Sequence, residues 1–470
     1  MEPGRFPSRE ALRWIQIGGA AAALALAAAI GVLLATHSAS SLLFLVVAAA
    51  CVPLLAIGLD LALRHPAWQV LAILLAAAFI PVSASIPTGT DSRIVASFIL
   101  AMLFEGFWLL RLVFIDRRGL EPSPVNRPLL GFLLATLFSL VWGNLFRDPT
   151  VVLVPKFPLV QLASALTMIT LPGAMLMVEH FWDLRTLKIA VGIMLVVGAL
   201  GAVVRYANLS LPVNTEGIAG SWIVGLAMGL VLFQRKLPWP ARAALVLLTG
   251  AWVGYSFVLH TNRLSPWLAE FVMLGVLLFR RSKWLAVAMA AVLVAGVLLN
   301  LGYYQGVISG KQVESGDTRL AAWEVNWQVT GQHWLFGTGP AGYALYYLAY
   351  FQTNAMATHS NYVDILAETG IVGFGLYIWM FGVLVWEGYK LCRRLEGRGD
   401  FAEAMANVAF AGTLACLVVM GFGDWLIPFA YTQTINSFGY EVYSWLFMGM
   451  TLLLNRLVPA APALEPVRLP

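Results

Sequence analysis

His359 stands in the run Ala357-Thr358-His359-Ser360-Asn361-Tyr362, just ahead of a long apolar stretch. An imidazole titrates near neutral pH, so it can take a proton from an attacking hydroxyl. The competing account is a histidine that merely caps a helix or bonds a carbonyl. Asp364 and Glu368 follow at i+5 and i+9, and Glu368 is placed either to orient the ring or to serve as a helix-terminal charge. Two arginines supply a second chemistry. Arg205 directly follows an apolar run, and Arg263 lies in the short connection His260-Thr261-Asn262-Arg263-Leu264-Ser265. A guanidinium is a planar fork that pairs two phosphate oxygens at once. Either arginine alone is explained by snorkelling toward a lipid headgroup. Both on the same membrane face as a histidine leave a phosphate holder next to a base as the alternative.

Other chemistries are not encoded. The 6 histidines contain no i, i+4 pair and the 3 cysteines form no ligand set, so neither a metal site nor a disulfide framework is expected. No cofactor is expected either. Gly337-Thr338-Gly339-Pro340-Ala341-Gly342 fits G-x-G-x-x-G, but no βαβ unit surrounds it, so a tight re-entry turn is the better reading. There is no serine nucleophile elbow. The net charge of +5 is scattered, which excludes a nucleic-acid stripe.

What must position these residues is a membrane bundle. The chain is 60% hydrophobic and 11% charged over 470 residues, more apolar surface than a soluble fold can bury. The expected fold is all-α: one polytopic transmembrane domain over 1–470, with about 12–14 spans. Candidates lie near 13–35, 40–63, 67–86, 93–115, 128–146, 157–178, 186–204, 216–234, 241–258, 265–280, 284–302, 368–390, 405–423 and 438–456. Most of the 29 basic residues fall in alternate loops if the N-terminus is cytoplasmic, which puts the C-terminus there too and favours an even span number. That orientation places one long loop, 303–367, outside, with short helices and many aromatics, among them Trp323, Trp327, Trp334, Tyr343, Tyr346 and Tyr350. Arg205, Arg263, Arg319 and His359 then share the outer face. The intramembrane acids Glu105, Glu270 and Asp424 need partners. Glu270 lies seven residues after Arg263, on about the same helix face, and Asp424 sits at an outer helix end from which it can reach His359 or substrate.

The stretch from Arg319 to Gly373 resembles the signature region of the O-antigen ligase and O-antigen polymerase superfamily. The matching pieces are Arg319 and Trp323, then Phe336-Gly337-Thr338-Gly339-Pro340, His359-Ser360-Asn361-Tyr362, and Ala367-Glu368-Thr369-Gly370-Ile371-Val372-Gly373. The Asn262-Arg263 connection looks like the family's short arginine-bearing outer loop, and Arg205 is similar by position. The resemblance implies a glycosyltransferase in the bacterial inner membrane with its site on the periplasmic side. It would take a glycan from an undecaprenyl diphosphate carrier and pass it to a sugar hydroxyl on a glycan or lipid-core acceptor, without metal and with inversion. His359, Arg263 and Arg205 are then the catalytic candidates, and Arg319, Asn361, Glu368 and Asn262 the substrate-binding ones. A repeat-unit polymerase for O-antigen or exopolysaccharide shares this donor. A flippase or transporter without chemistry predicts an internal repeat and midplane charges, and a structural scaffold for envelope synthesis would tolerate loss of His359.

Overall fold

The computed structural model describes residues 65–80, 83–87, 91–117, 119–153, 157–209, 211–259, 264–302, 305, 317–351, 358–429 and 437–458. The expected spans 13–35 and 40–63, Arg263, Asn262 and the tail beyond Val458 lie outside them. The described residues are all-α apart from one hairpin. In chain order the elements are α1 (Pro66–Phe79), β1 (Ser83–Pro87), β2 (Asp91–Val95), α2 (Ala96–Leu110), α3 (Asn126–Leu145), α4 (Phe157–Phe181) and α5 (Leu184–Tyr206). There follow α6 (Ala219–Phe233), α7 (Trp239–Gly254), α8 (Leu264–Arg281), α9 (Lys283–Leu299), α10 (Asp317–Gln332), α11 (Tyr343–Phe351), α12 (Asn361–Leu395), α13 (Phe401–Val419) and α14 (Phe438–Leu457). Short π-helical turns, Arg111–Asp116 and Tyr255–Leu259, extend α2 and α7.

The chain divides into two compact units, 1–72 with 107–119 and 73–106 with 120–470. In the first, the π turn is tied by an Arg111 Nε to Asp116 Oδ2 contact of 3.2 Å. The second unit holds every described candidate residue.

The protein is a polytopic membrane protein by the length and apolarity of its helices. Among the described residues six are long and apolar enough to cross a bilayer: α2 with its π turn, α3, α4, α5, α12 and α13, with mean hydropathy from 1.6 to 2.4. Helices α1, α6 and α9 are apolar but shorter. Helix α8 carries Glu270, Arg280 and Arg281 within 18 residues and is correspondingly amphipathic. The expected span 67–86 is corrected: α1 stops at Phe79, and Ser83–Pro87 pairs antiparallel with Asp91–Val95. Pro87 and Gly89 punctuate this polar stretch, so a two-stranded hairpin replaces the last turn of helix.

The most extensive helix pairs are α4 with α14, α8 with α13 and with α6, and α3 with α12. Helix α6 is almost wholly buried at the centre. A Cβ at its Gly225 would lie 2.2 Å from the Met273 sulfur of α8, so the small residue sets how closely those helices approach.

The two ends of the bundle differ in charge. At one pole the Arg235 N–H donates to the Gly399 carbonyl at 3.0 Å and Arg280 Nε donates to Asn407 Oδ1 at 3.1 Å. Arg393, Arg394 and Arg398 sit at the ends of α12 and α13 on this same side. An 18-residue helix is roughly 27 Å long, so the start of α8 and the end of α5 belong to the opposite pole, where His359 also lies.

The long connection ahead of α12 contains helices among its described residues. It carries α10 and α11 and ends at residue 360, because α12 begins at Asn361 and not near 368. Its aromatics divide. Trp327, Trp334 and Tyr350 are exposed, whereas Tyr343, Tyr346 and Tyr347 pack with Phe157, Val160 and Phe429. The α3–α4 connection is fastened to it, since the Tyr350 hydroxyl and the Thr150 N–H and hydroxyl all donate to the Asp148 carboxylate. The Tyr350 bond, aided by Thr150, holds the Asp148 pKa down at about 2. A carboxylate depressed on folding contributes stability above its unfolded pKa of about 3.9, and that contribution is lost as pH falls through the folded value. Hydrogen exchange of segment 146–153, followed downward from pH 5, is therefore expected to show loosening that sets in below about pH 4 and is complete near pH 2. In Tyr350→Phe the loosening should move to higher pH; an unmoved transition would show that Tyr350 does not anchor the segment.

Candidate functional site

Four glycines explain how the segment before α12 reaches its place. Gly370 interrupts α12 with φ 66° and ψ −174°. The break frees the carbonyls of Ala367 and Glu368, which accept the N–H groups of Thr338 and Gly339 at 2.9 Å each. In return the N–H groups of Ile371 and Val372 donate to Trp334 and Leu335 carbonyls at 2.8 and 3.3 Å. The turn at 334–342 is thus docked into a broken helix, and these four freed backbone groups find partners. A Cβ on Gly337 would lie 2.4 Å from the Glu368 backbone, and one on Gly143 of α3 would lie 2.1 Å from the Thr338 carbonyl oxygen. The G-x-G-x-x-G pattern is here a close-approach device, with Gly337 at φ 72° and Gly339 at φ 86°.

His359 sits two residues before the helix that this docking fixes. Its backbone has φ 52°, an uncommon left-handed conformation for a non-glycine residue. Several bonds hold it there. Trp323 Nε1 of α10 donates to the Thr358 carbonyl at 2.8 Å, the Thr358 hydroxyl donates to Asp364 Oδ1 at 2.7 Å, and the Asn361 N–H donates to the Met420 carbonyl at 2.9 Å. The imidazole is 41% exposed, and its Nδ1 stands 3.7 Å from Oδ2 of Asp424, whose side chain is fully buried. That distance is longer than a hydrogen bond but within ion-pair range. An imidazole with a carboxylate behind Nδ1 presents Nε2 as the basic nitrogen.

A network of buried acids lies behind the histidine. Asp364 accepts from the Tyr343 hydroxyl at 2.7 Å as well as from Thr358, and like Asp424 it is buried. Tyr343 is fixed by stacking on Phe429, ring centroids 4.5 Å apart.

The predicted residues fall into distinct places. Asn361 is fully buried. Its Nδ2 donates to the Ile427 carbonyl at 2.6 Å and its Oδ1 accepts the Leu426 N–H at 3.0 Å. It clamps the turn that carries Asp424, so its amide is engaged in the fold. Glu368 is also buried, and Oε1 accepts the Ala341 N–H at 2.8 Å. It holds the docked glycine turn; of the two acids expected within reach of His359, Asp424 is the one beside it. Arg319 lies in the first turn of α10.

Arg205 ends α5 and is sandwiched near Trp252 and Tyr255, 4.8 and 5.4 Å from their ring centroids. It donates to the Thr215 hydroxyl and, at 2.9 Å, to the Thr215 carbonyl. Glu270 stands close enough to act electrostatically on it, and its Oε1 accepts the Ser256 hydroxyl at 2.9 Å. The pairing of Glu270 with Arg263 falls outside the described residues. The Arg205 and His359 segments meet on α14. Tyr443 donates to the Asn214 carbonyl at 3.1 Å, and the Tyr440 hydroxyl is within electrostatic range of both Glu216 and Asp424. Both therefore occupy one pole.

Sequence reasoning passed over Tyr343, Thr358 and Asp364 as the set that buttresses Asp424, and it gave Trp323 no role. The signal for Trp323 was its place in the matched motif. Nothing in the sequence pairs Tyr343 with Asp364. Among the described residues no group of three His, Cys, Asp or Glu side chains has metal-binding geometry.

The fold and this site define a polytopic all-α membrane protein with an exposed, carboxylate-backed histidine at one end of its bundle. Residues 245–378 match the family model for O-antigen ligase, less than half of the chain but including His359, Glu368 and the docked glycine turn. The match supports the O-antigen ligase and polymerase superfamily and associates the chain broadly with ligase-type glycosyl transfer; Arg205 lies outside the matched segment. No curated protein matches the chain.

Proposed function

We propose that the protein transfers a glycan from an undecaprenyl diphosphate carrier to an acceptor hydroxyl at the outer face of the bacterial inner membrane, with both termini cytoplasmic. The observation that carries this reading is His359: partly exposed, held in a left-handed conformation, and backed by the buried Asp424. The acceptor oxygen attacks the anomeric carbon as His359 Nε2 takes its proton. The bond from anomeric carbon to phosphate oxygen breaks, and the carrier diphosphate leaves with the electron pair. Attack opposite the leaving group inverts the anomeric centre. Arg205 and Arg263 neutralise the charge that develops on the diphosphate, which is worth most at the transition state. Arg319 and Asn262 hold the donor's oxygens, and Asn361 and Glu368 act through the backbone they clamp.

The acceptor decides between a ligase, which moves finished chains onto a lipid core, and a polymerase, which joins repeat units. The ligase reading is favoured by the pattern of His359 with Arg263. A transporter without chemistry is disfavoured because the sequence shows no internal repeat and the described candidate residues share the pole of an exposed imidazole.

The test is transfer by purified protein supplied with lipid-linked donor and acceptor, with and without a chelator. Transfer abolished by the chelator would overturn the metal-free scheme. In the same assay Arg205→Lys is expected to lose about 10–10²-fold, because lysine keeps the charge and loses the fork that Thr215 and Trp252 hold in place. Unchanged turnover would remove Arg205 from the donor site.

A further inference from the structure

We infer that the basic pole, opposite His359, carries a binding site for a phosphate-bearing anion, lodged between the ends of α6 and α8 and the α12–α13 turn. The inference takes this pole as the cytoplasmic one and is otherwise independent of the reaction. A cavity of ≈ 230 Å³ opens there, lined by Arg235, Arg280, Arg281, Glu396, Glu403 and Phe233 among others. One water occupies about 30 Å³ of liquid, so the space is several times larger than bridging water requires.

The charges in its wall are not balanced against one another. Glu403 is turned into the fold, where its Oε1 accepts the Gly397 N–H at 2.9 Å and its Oε2 the Gly399 N–H. Glu396 is half exposed, 3.5 Å from Arg393 and 3.9 Å from Arg280, both beyond hydrogen-bond length. Arg280 is only 15% exposed, and Asn407 Oδ1 holds its Nε at 3.1 Å. A guanidinium fixed at Nε offers its terminal nitrogens as a preset fork. Arg235 is steered by the turn itself. Gly399 has φ 66°, and a Cβ there would lie 2.5 Å from Arg235 Cδ, so the glycine gives room for the side chain to lie across the turn. Arg281 adds a third cation on the exposed side.

Three guanidinium groups facing one half-exposed carboxylate favour a dianion or a phosphodiester. Leu232 and Phe233 give the cavity an apolar side, which suits a phosphate that carries an ester. Two sources present this chemistry at a cytoplasmic membrane surface: an anionic lipid headgroup and free phosphate.

The experiment uses the full chain purified in detergent. Retention of phosphatidylglycerol and of phosphatidylcholine is measured by native mass spectrometry, and each is repeated with inorganic phosphate as competitor. The wild type is expected to hold phosphatidylglycerol well above phosphatidylcholine. The double variant Arg235→Gln/Arg281→Gln removes two exposed charges and leaves the Arg280–Asn407 bond intact. It should weaken anionic-lipid retention by about thirtyfold. Arg280→Gln should weaken it further; if that variant fails to fold, the double variant still decides. Displacement by millimolar phosphate would identify free phosphate as the ligand, and resistance to it would identify the lipid. Equal retention of the two lipids, or undiminished retention by the double variant, would overturn the site and leave only annular lipid.

Discussion

His359→Ala is expected to lower glycan transfer by about 10²–10⁴-fold, the usual contribution of a positioned general base, while expression, insertion and thermal stability stay near wild type. The ring is 41% exposed, so its removal leaves little packing behind. The backbone at φ 52° asks for a residue that tolerates the left-handed region. His359→Asn is therefore the cleaner variant, since asparagine visits that region readily and offers no basic nitrogen. Both substitutions should fail alike. Asp424→Asn separates positioning from packing. A carboxylate beside Nδ1 favours the imidazolium, so its loss should reduce turnover and shift the acidic limb of the pH profile to lower pH. Full transfer by either His359 variant would remove the base assignment.

Gly370→Ala is expected to cost about 2–6 kcal/mol. The conformation at φ 66°, ψ −174° is nearly closed to any residue with a side chain, and overpacking adds a comparable penalty. The added Cβ would lie 2.4 Å from the Leu335 carbonyl group, so the docked turn would have to leave the helix break. A lower thermal midpoint and faster proteolysis around 334–342 are the expected readouts. Gly375→Ala in the same helix is the control. A Cβ there meets nothing within 4 Å, so the change should be neutral or slightly stabilising. A Gly370→Ala protein as stable as the Gly375→Ala protein would refute the account of the docked turn.

Much of the bundle is legible in the chain because a bilayer imposes a length and a composition on whatever crosses it. The predicted spans 93–115, 128–146, 157–178 and 186–204 correspond to α2, α3, α4 and α5, and 405–423 to α13. The misplaced boundaries occur where polar backbone interactions override apolarity. The hairpin Ser83–Val95 replaces part of a span, and α12 begins seven residues before the expected position because its break at Gly370 is filled by another segment. Hydropathy reports the solvent of a residue, and it is blind to the backbone hydrogen bonds that reconcile a broken helix with an apolar medium.

The sequence by itself determined the class of molecule and the helical architecture, and it singled out His359 and Arg205 as candidates, because residue type and hydropathy are properties of each position alone. Only the tertiary structure decided which acid stands behind the histidine. Asp424 and not Glu368 occupies that place, because Asn361 pulls the 420–427 turn onto the start of α12 while Glu368 is drawn toward Ala341. Helical spacing limits the neighbours a residue can have within its own element. A contact across 65 positions depends on how separate helices pack, and no local pattern in the chain encodes it.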